Sequence, residues 1–148
     1  MSLKDRIKDD IKQAMREKNE SRLVVLRGLS AAIQRREVDE RVTLDETQVI
    51  GVIEKQLKQA RESIEQFEKG GRADLAEKEK REMAVMQVYM PQALSEAEVD
   101  SLISEAIASS GAVSIKDMGK VMGLLKPKVQ GRADMGALGA KIKAKLGG

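Results

Sequence analysis

The sequence predicts an all-α protein, and three observations support this fold class. Strong helix formers dominate the 148 residues, which contain only two prolines. Phe67 and Tyr89 are the only aromatic residues, so the core must consist mainly of Leu, Ile, Val, Met and Ala, whereas β-sheets are usually rich in aromatic side chains. Apolar residues also recur every three or four positions, as they do on the buried face of an amphipathic helix.

The first three helices are predicted from this spacing and from signals at their ends. The first runs from about residue 3 to residue 18, and the second begins near Ser21, whose hydroxyl can act as an N-cap. The third begins after Asp45, and Gln48 stands three residues further on, which is the spacing of a capping box. Gly70-Gly71 ends this helix with a left-handed C-cap. Its apolar residues form a heptad-like seam of Val49, Ile53, Leu57, Ala60, Ile64 and Phe67.

A fourth helix is predicted from about residue 72 to Met90, where Pro91 stops it. The two-glycine turn that precedes it favours an antiparallel hairpin with the third helix. Residues 1–92 are therefore predicted to form an N-terminal helical domain, in which a long-helix hairpin is flanked by two further helices. Residues 93–148 are predicted to form a small C-terminal three-helix domain.

The three helices of the C-terminal domain are predicted from their cap residues. Ser95 and Glu98 have the spacing of a second capping box and open the first of these helices. Gly111 ends that helix. The middle helix is predicted to begin at Ser114 and to end at Pro127. The last helix is predicted to begin at Asp134, which can act as its N-cap.

The missing residue types exclude several classes of function. The absence of cysteine excludes disulfides and thiolate chemistry, and the absence of histidine removes the commonest general base and metal ligand. Carboxylate pairs such as Glu62 and Glu65 are surrounded by Lys and Arg, as is typical of a solvated helix face. We therefore expect no catalytic residues, no metal and no cofactor. Without an apolar run of about 18 residues or a signal peptide, the sequence predicts a cytoplasmic protein without membrane attachment.

Positive charge is concentrated near the C-terminus. Residues 112–148 hold eight Lys or Arg against two Asp or Glu, a net charge of +6, whereas the other 111 residues carry −3. The segment from Gly119 to Asp134 lacks the P-loop pattern, but it places cations around a Gly/Pro-containing turn between two helices, which is typical of phosphate-backbone contacts. The predicted nucleic-acid contacts are Lys116, Lys120, Lys126, Lys128, Arg132 and Lys141, and the predicted turn-shaping residues are Gly119, Pro127 and Gly131.

Other interpretations of these features remain open. The basic surface can serve solubility alone. Met83, Met86 and Met90, with Met118 and Met122, can form an adaptable surface for a protein partner, although filling an aromatic-poor core explains them better. Because aromatic residues are so few, recognition of a folded RNA by shape and phosphate fits better than base stacking on a single strand. The alternative to RNA binding is thus a helical protein–protein interaction module.

Several motifs give the chain a resemblance to a known family. They are Asp117-Met118-Gly119-Lys120-Val121-Met122-Gly123 with the continuation from Lys126 to Asp134, then Arg22-Leu23, Arg35-Arg36-Glu37-Val38-Asp39 and Tyr89-Met90-Pro91-Gln92-Ala93-Leu94-Ser95. In these motifs, and in length and order, the chain resembles the YqeY family. That family in turn resembles the C-terminal tail domain of the B subunit of the tRNA-dependent Asp/Glu amidotransferase.

The resemblance implies a function as well as a fold. In the amidotransferase the tail domain holds the body of the tRNA, and other parts of the enzyme carry out glutamine hydrolysis and amide transfer. By this resemblance the chain is an accessory tRNA-binding module without a catalytic centre, and a family label of carbon–nitrogen ligase with glutamine as amido donor belongs to the larger enzyme. The partners it implies are tRNA or another structured RNA, together with an amidotransferase or an aminoacyl-tRNA synthetase.

Overall fold

The computed structural model describes residues 1–147, and the predicted all-α fold class is confirmed. The described residues form seven α-helices and one short 3-10 helix, and they contain no strand. They fall into two compact units, Met1–Met90 and a second unit that begins at Pro91. Each unit has its own hydrophobic core.

The first unit consists of four helices, α1 (Leu3–Arg16), α2 (Glu20–Glu40), α3 (Glu46–Lys69) and α4 (Ala73–Gln87). Helix α3 packs mainly on α4, and α1 packs mainly on α2. The most deeply buried apolar side chains come from the predicted faces, because one stripe of each helix must be removed from water. They include Ile7, Leu26, Leu29, Val49 and Ile53.

Some of the predicted helix ends in this unit are confirmed, and others are wrong. Asp45 and Gln48 form the expected capping box, with Gln48 N–H donating to Asp45 Oδ1 at 2.8 Å. Gly71 adopts the left-handed conformation at φ +71°, where glycine carries no steric penalty. The N-cap of α2 is Asn19 rather than Ser21, because Asn19 Oδ1 accepts a hydrogen bond from the amide of Arg22 and the helix begins one residue before Ser21.

Helix α4 ends at Gln87, three residues before the predicted end at Met90. A residue that precedes proline is disfavoured in the helical conformation, so the chain leaves the helix before Pro91. The turn that follows directs Tyr89 inward, and its side chain is only 2% exposed.

Tyr89 connects three helices through one carboxylate. Its hydroxyl donates to Asp10 on α1, and the same Asp10 oxygen lies 3.7 Å from the guanidinium of Arg22 at the start of α2. The guanidinium of Arg6 lies over the Tyr89 ring, 5.3 Å from its centre. Burial, with the neighbouring Asp10, raises the pKa of Tyr89, so the hydroxyl stays protonated and remains a donor. Two of the motifs from the sequence, at Arg22 and at Tyr89, thus meet at Asp10.

Glu37 joins the start of the chain to the loop between α2 and α3. Its carboxylate accepts a 2.7 Å hydrogen bond from Lys4 Nζ and a 2.8 Å bond from the amide of Leu44. These bonds, with Lys4 as the larger contributor, lower the pKa of Glu37. They stabilise the charged carboxylate in the folded protein more than in the unfolded chain.

We expect Glu37→Gln to lower the melting temperature at pH 7, because Gln can still accept from Leu44 but cannot pair with Lys4. A carboxylate whose pKa is lowered on folding stabilises the protein above its unfolded pKa, and this contribution is lost as the pH falls through the folded pKa. The melting temperatures of the wild type and the variant should therefore converge below about pH 4. Thermal unfolding followed by circular dichroism from pH 7 to pH 3 measures this, and a constant difference across that range would contradict it.

The second unit consists of α5 (Glu96–Ser110), the 3-10 helix (Ile115–Asp117), α6 (Met118–Val129) and α7 (Met135–Lys145). Ser95 is the N-cap of α5 as predicted, but Glu98 donates only its backbone amide to the Ser95 hydroxyl, and its carboxylate accepts from that same hydroxyl. Gly111 ends α5 at φ +68°, also as predicted. The core of this unit consists of Val99, Ile103, Ala106, Val121, Leu125, Val129, Leu138, Ile142 and Leu146.

The middle helix of this unit differs from its prediction at both ends. Ser114 precedes the 3-10 helix, and Asp117 stabilises this start by accepting from the amides of Val113 and Ser114. Pro127 does not end α6 but lies within its last turn, and the helix continues to Val129. A proline removes only its own N–H from the helix ladder, and this cost is tolerated so near the end.

Candidate nucleic-acid interface

The six cations predicted to contact nucleic acid occupy four different parts of the second unit. Lys116 lies in the 3-10 helix, and Lys120, Lys126 and Lys128 lie on α6. Arg132 is in the turn before α7, and Lys141 is on α7 itself. The structure thus divides these cations into groups with different surroundings.

Lys116 of the 3-10 helix and Lys120 and Lys128 of α6 are all exposed, and we call these three residues the lysine row. Residues four apart in a helix lie on neighbouring turns, so Lys120 and Lys128 are separated by Leu124 and by about 12 Å along the axis. All three lysines are exposed, while Val121, Leu125 and Val129 of the same helix are buried. Within residues 1–147, no hydrogen bond or ion pair engages any of the three ammonium groups. The lysine row therefore presents positive charge to solvent.

The C-terminal end of the lysine row lies beside α5. Lys128 and Leu124 line a shallow pocket there together with Glu105 and Ser109 of α5. Glu105 forms no ion pair with Lys128, so the pocket leaves this ammonium group available. Leu124 is 46% exposed, so an apolar side chain lies on the surface between Lys120 and Lys128.

Lys126 lies on α6 but outside the lysine row. Two residues advance a helix by about 200°, so Lys126 and Lys128 project from opposite flanks of α6. The predicted cluster of adjacent cations at this helix end is therefore divided between two surfaces. A ligand surface that contacts Lys128 on one flank of α6 cannot also contact Lys126 on the other flank.

Arg132 has a structural role that the sequence did not reveal. Its Nε donates to the backbone carbonyl of Gln92 at 2.8 Å, and its own carbonyl accepts from the amide of Leu94 at the same distance. Both bonds fasten the segment before α5 to the turn between α6 and α7. The side chain that was predicted to bind phosphate is thus engaged with the protein backbone.

Lys141 is neutralised within the second unit. Its ammonium group lies 3.1 Å from Asp100 Oδ1 and 3.5 Å from Glu96 Oε1, both on α5. The hydrogen bond with Asp100 is the largest contribution to a raised pKa of Lys141, so the ion pair persists at neutral pH. This pairing argues against Lys141 as a phosphate contact, because a phosphate would have to displace two carboxylates.

Of the three residues predicted to shape the turn, only one is found in it. Gly131 is in the turn after α6 at φ +73°, a conformation that favours glycine. Gly119 and Pro127 are not in the turn, because both lie within α6. A Cβ added at Gly119, or at Gly123 one turn later, would meet no atom within 4 Å, so side-chain packing does not require glycine at either position.

The N-terminus of α7 is occupied by its own cap. Asp134 Oδ1 accepts from the amide of Gly136 at 2.9 Å, as the predicted N-cap should. This carboxylate occupies one of the free amides and places a negative charge at the positive end of the helix, which disfavours a phosphate there.

The five methionines considered as a docking surface contribute to the cores instead. Met86 is buried, and Met83 and Met90 pack against the core of the first unit. Met118 and Met122 pack against the core of the second unit. The core-filling interpretation of these methionines therefore fits the structure better than the docking interpretation.

Features of other functional classes are not found in the described part of the chain. No group of three His, Cys, Asp or Glu residues within residues 1–147 is arranged to hold a metal ion. None of the described helices combines the length and the apolar character needed to cross a membrane.

The described residues form a two-unit helical protein with exposed lysines on α6 and on the 3-10 helix before it. Comparison with known families agrees with the resemblance found in the motifs: the family of Yqey-like proteins matches residues 4–146. The chain therefore belongs to the YqeY family, and this prediction is confirmed.

Curated relatives have been found in fungi. The chain is 31% identical over 145 residues to the protein named altered inheritance of mitochondria protein 41, mitochondrial, of Pyrenophora tritici-repentis, covering 96% of this chain and 80% of that protein. It is 35% identical over 118 residues to the protein of the same name in Lachancea thermotolerans and 36% identical over 116 residues to that in Eremothecium gossypii. These two alignments cover 75% and 74% of this chain but only 63% of each relative.

The cytoplasmic location expected from the sequence is contradicted by these relatives, which are named as mitochondrial proteins. The expectation was wrong because it relied on the absence of a signal peptide and of a membrane-spanning run. Neither absence reports the compartment, since mitochondrial targeting segments have a different, amphipathic and arginine-rich composition.

Proposed function

We propose that this protein is an accessory tRNA-binding module, related to the tail domain of the tRNA-dependent Asp/Glu amidotransferase and without a catalytic centre of its own. The observation that carries the proposal is the lysine row of Lys116, Lys120 and Lys128. Its three lysines are exposed and form no hydrogen bond or ion pair with a described residue, although the charge of Lys120 also acts on Asp117. Exposed lysines of this kind release counterions when they meet phosphates.

The residue types around the lysine row favour a folded RNA as the ligand. Both aromatic side chains of the protein, Phe67 and Tyr89, are in the first unit, so the row offers no platform for base stacking. Exposed cations spaced along a helix suit the phosphate ridges of a double-stranded region, which is recognised by shape. An amidotransferase or an aminoacyl-tRNA synthetase would supply the chemistry in this arrangement, and this chain would hold the RNA.

Binding of a fluorescently labelled tRNA, followed by anisotropy at several salt concentrations, tests the proposal. Three phosphate contacts predict a slope of about −2 to −3 in the logarithm of the binding constant against that of salt concentration. Affinity should then fall roughly 15- to 65-fold between 50 and 200 mM salt. A slope near zero, or binding of tRNA no tighter than of a single-stranded RNA of equal length, would contradict the proposal.

A further inference from the structure

The Arg35-Arg36-Glu37-Val38-Asp39 motif lies in the first unit, and the lysine row does not account for it. Glu37 has a structural role, because its carboxylate accepts hydrogen bonds from Lys4 and from the amide of Leu44. Arg35 and Arg36 instead line a cleft between α2 and α3, with a volume of about 500 Å³. Volumes of this size are typical of sites for small organic ligands.

Cations from both helices meet in this cleft. Arg35 and Arg36 line the α2 wall, and Lys55 lines the α3 wall. Arg36 is engaged, since its Nε donates to Glu40 and its terminal nitrogen lies 3.4 Å from the carbonyl oxygen of Gln48. Arg35 and Lys55 form no hydrogen bond or ion pair with any described residue. The fold thus places two unpaired cations on facing walls, an arrangement that an anion between them would stabilise.

The other lining residues suit a polar, hydrogen-bonding ligand. Gln56 and Gln59 add amide donors on the α3 wall. Glu40 is balanced by Arg36, which leaves Asp39 as the one acidic side chain of the lining against Arg35 and Lys55. The remaining charge is therefore positive.

We propose that the cleft between α2 and α3 binds a phosphate group through Arg35 and Lys55, with Arg36 presenting its remaining donors. Guanidinium groups bind phosphate by paired hydrogen bonds, and lysine contributes a point charge. The phosphate belongs either to the backbone of a bound RNA or to a free nucleotide, because the chemistry recognised is the same. The RNA source rests on the proposed function, whereas the nucleotide source does not.

The test is a nuclear magnetic resonance titration of the full chain, labelled with ¹⁵N, with inorganic phosphate, adenosine monophosphate and tRNA in turn. Backbone amides in residues 32–40 and 51–59 should shift or broaden on addition. Whichever of the three ligands causes these changes should bind the Arg35→Ala/Lys55→Ala variant at least tenfold more weakly than it binds the wild type. Arg35→Lys/Lys55→Arg should retain most of the binding, since both charges are kept.

A matched control removes two charges from the same helices on faces away from the cleft. Arg27 of α2 and Arg61 of α3 are exposed and do not line it, so Arg27→Ala/Arg61→Ala should bind as the wild type does. The two alanine double variants should melt at the same temperature as the wild type, which would show that both are folded. We expect this because none of the four side chains forms a hydrogen bond or ion pair with a described residue.

The three ligands separate the possible sources. Shifts with phosphate and the mononucleotide identify a free phosphate compound, and shifts with tRNA alone identify the RNA backbone. If no ligand perturbs the cleft amides at millimolar phosphate or micromolar tRNA, or if the cleft variant and the control lose affinity equally, the cleft is not a phosphate site. Because the lysine row is intact in both variants, failure here leaves the salt-dependence test of the proposed function unaffected.

Discussion

Ile103→Ala is expected to unfold the second unit and abolish RNA binding, while the first unit stays folded. Ile103 is fully buried at the centre of the small core formed by α5, α6 and α7. Truncation of a buried isoleucine to alanine costs about 2–5 kcal/mol. A unit of fewer than 60 residues is stable by only about 3–9 kcal/mol at the usual free energy per residue, so the loss is comparable with its whole stability.

Hydrogen exchange followed by mass spectrometry measures this result directly. Peptides from residues 96–145 of Ile103→Ala should lose protection, whereas those from residues 3–87 should keep it, because the two cores do not share residues. Ile103→Val is the matched control, since it removes one methylene and costs about 0.5–1.5 kcal/mol. Wild-type protection and wild-type RNA affinity in Ile103→Ala would contradict the prediction.

The parts of this fold that the sequence predicts well are those determined by residues close together in the chain. The capping box of Asp45 and Gln48 uses two complementary residues three positions apart, and it was predicted correctly. Glycines with positive φ at Gly71 and Gly111 were also predicted, because few other residues adopt that conformation.

Helix ends that depend on a single residue were predicted less well. Ser21 and Asn19 are both acceptable N-caps, and only the backbone path selects Asn19. Pro127 is a strong breaker in a helix interior, yet its effect is small when the helix ends two residues later. Local preference therefore fixed the presence of each helix but not all of its ends.

The candidate interface shows where sequence reasoning stops. Charge density drew attention to the second unit, but the partners that engage Lys141 and Arg132 within the fold are 41 and 40 residues away in sequence. The cleft in the first unit was missed for the same reason. Arg35 and Lys55 belong to different helices, and only packing of α2 beside α3 brings them to one site.

Substitution of the whole lysine row, Lys116→Ala/Lys120→Ala/Lys128→Ala, is expected to abolish most RNA binding without affecting the fold. Loss of three phosphate contacts should weaken binding roughly 100-fold or more near 0.1 M salt and reduce the salt slope by about two to three units. The protein should remain folded, because these side chains are exposed and make no hydrogen bond or ion pair with described residues. Anisotropy titrations with tRNA at several salt concentrations provide both quantities.

Two controls distinguish a geometric interface from an effect of net charge. Lys12→Ala/Lys58→Ala/Arg81→Ala removes the same charge from exposed positions of the first unit and should leave the salt slope unchanged.

Within the second unit, Lys128→Ala and Lys141→Ala each remove one charge, but Lys141 is already paired with Asp100 and Glu96. Lys128→Ala should therefore reduce the slope by nearly one unit, and Lys141→Ala should change it little. Equal losses from these two variants would mean that RNA responds to the total charge of the unit, and the lysine row would then not be the interface.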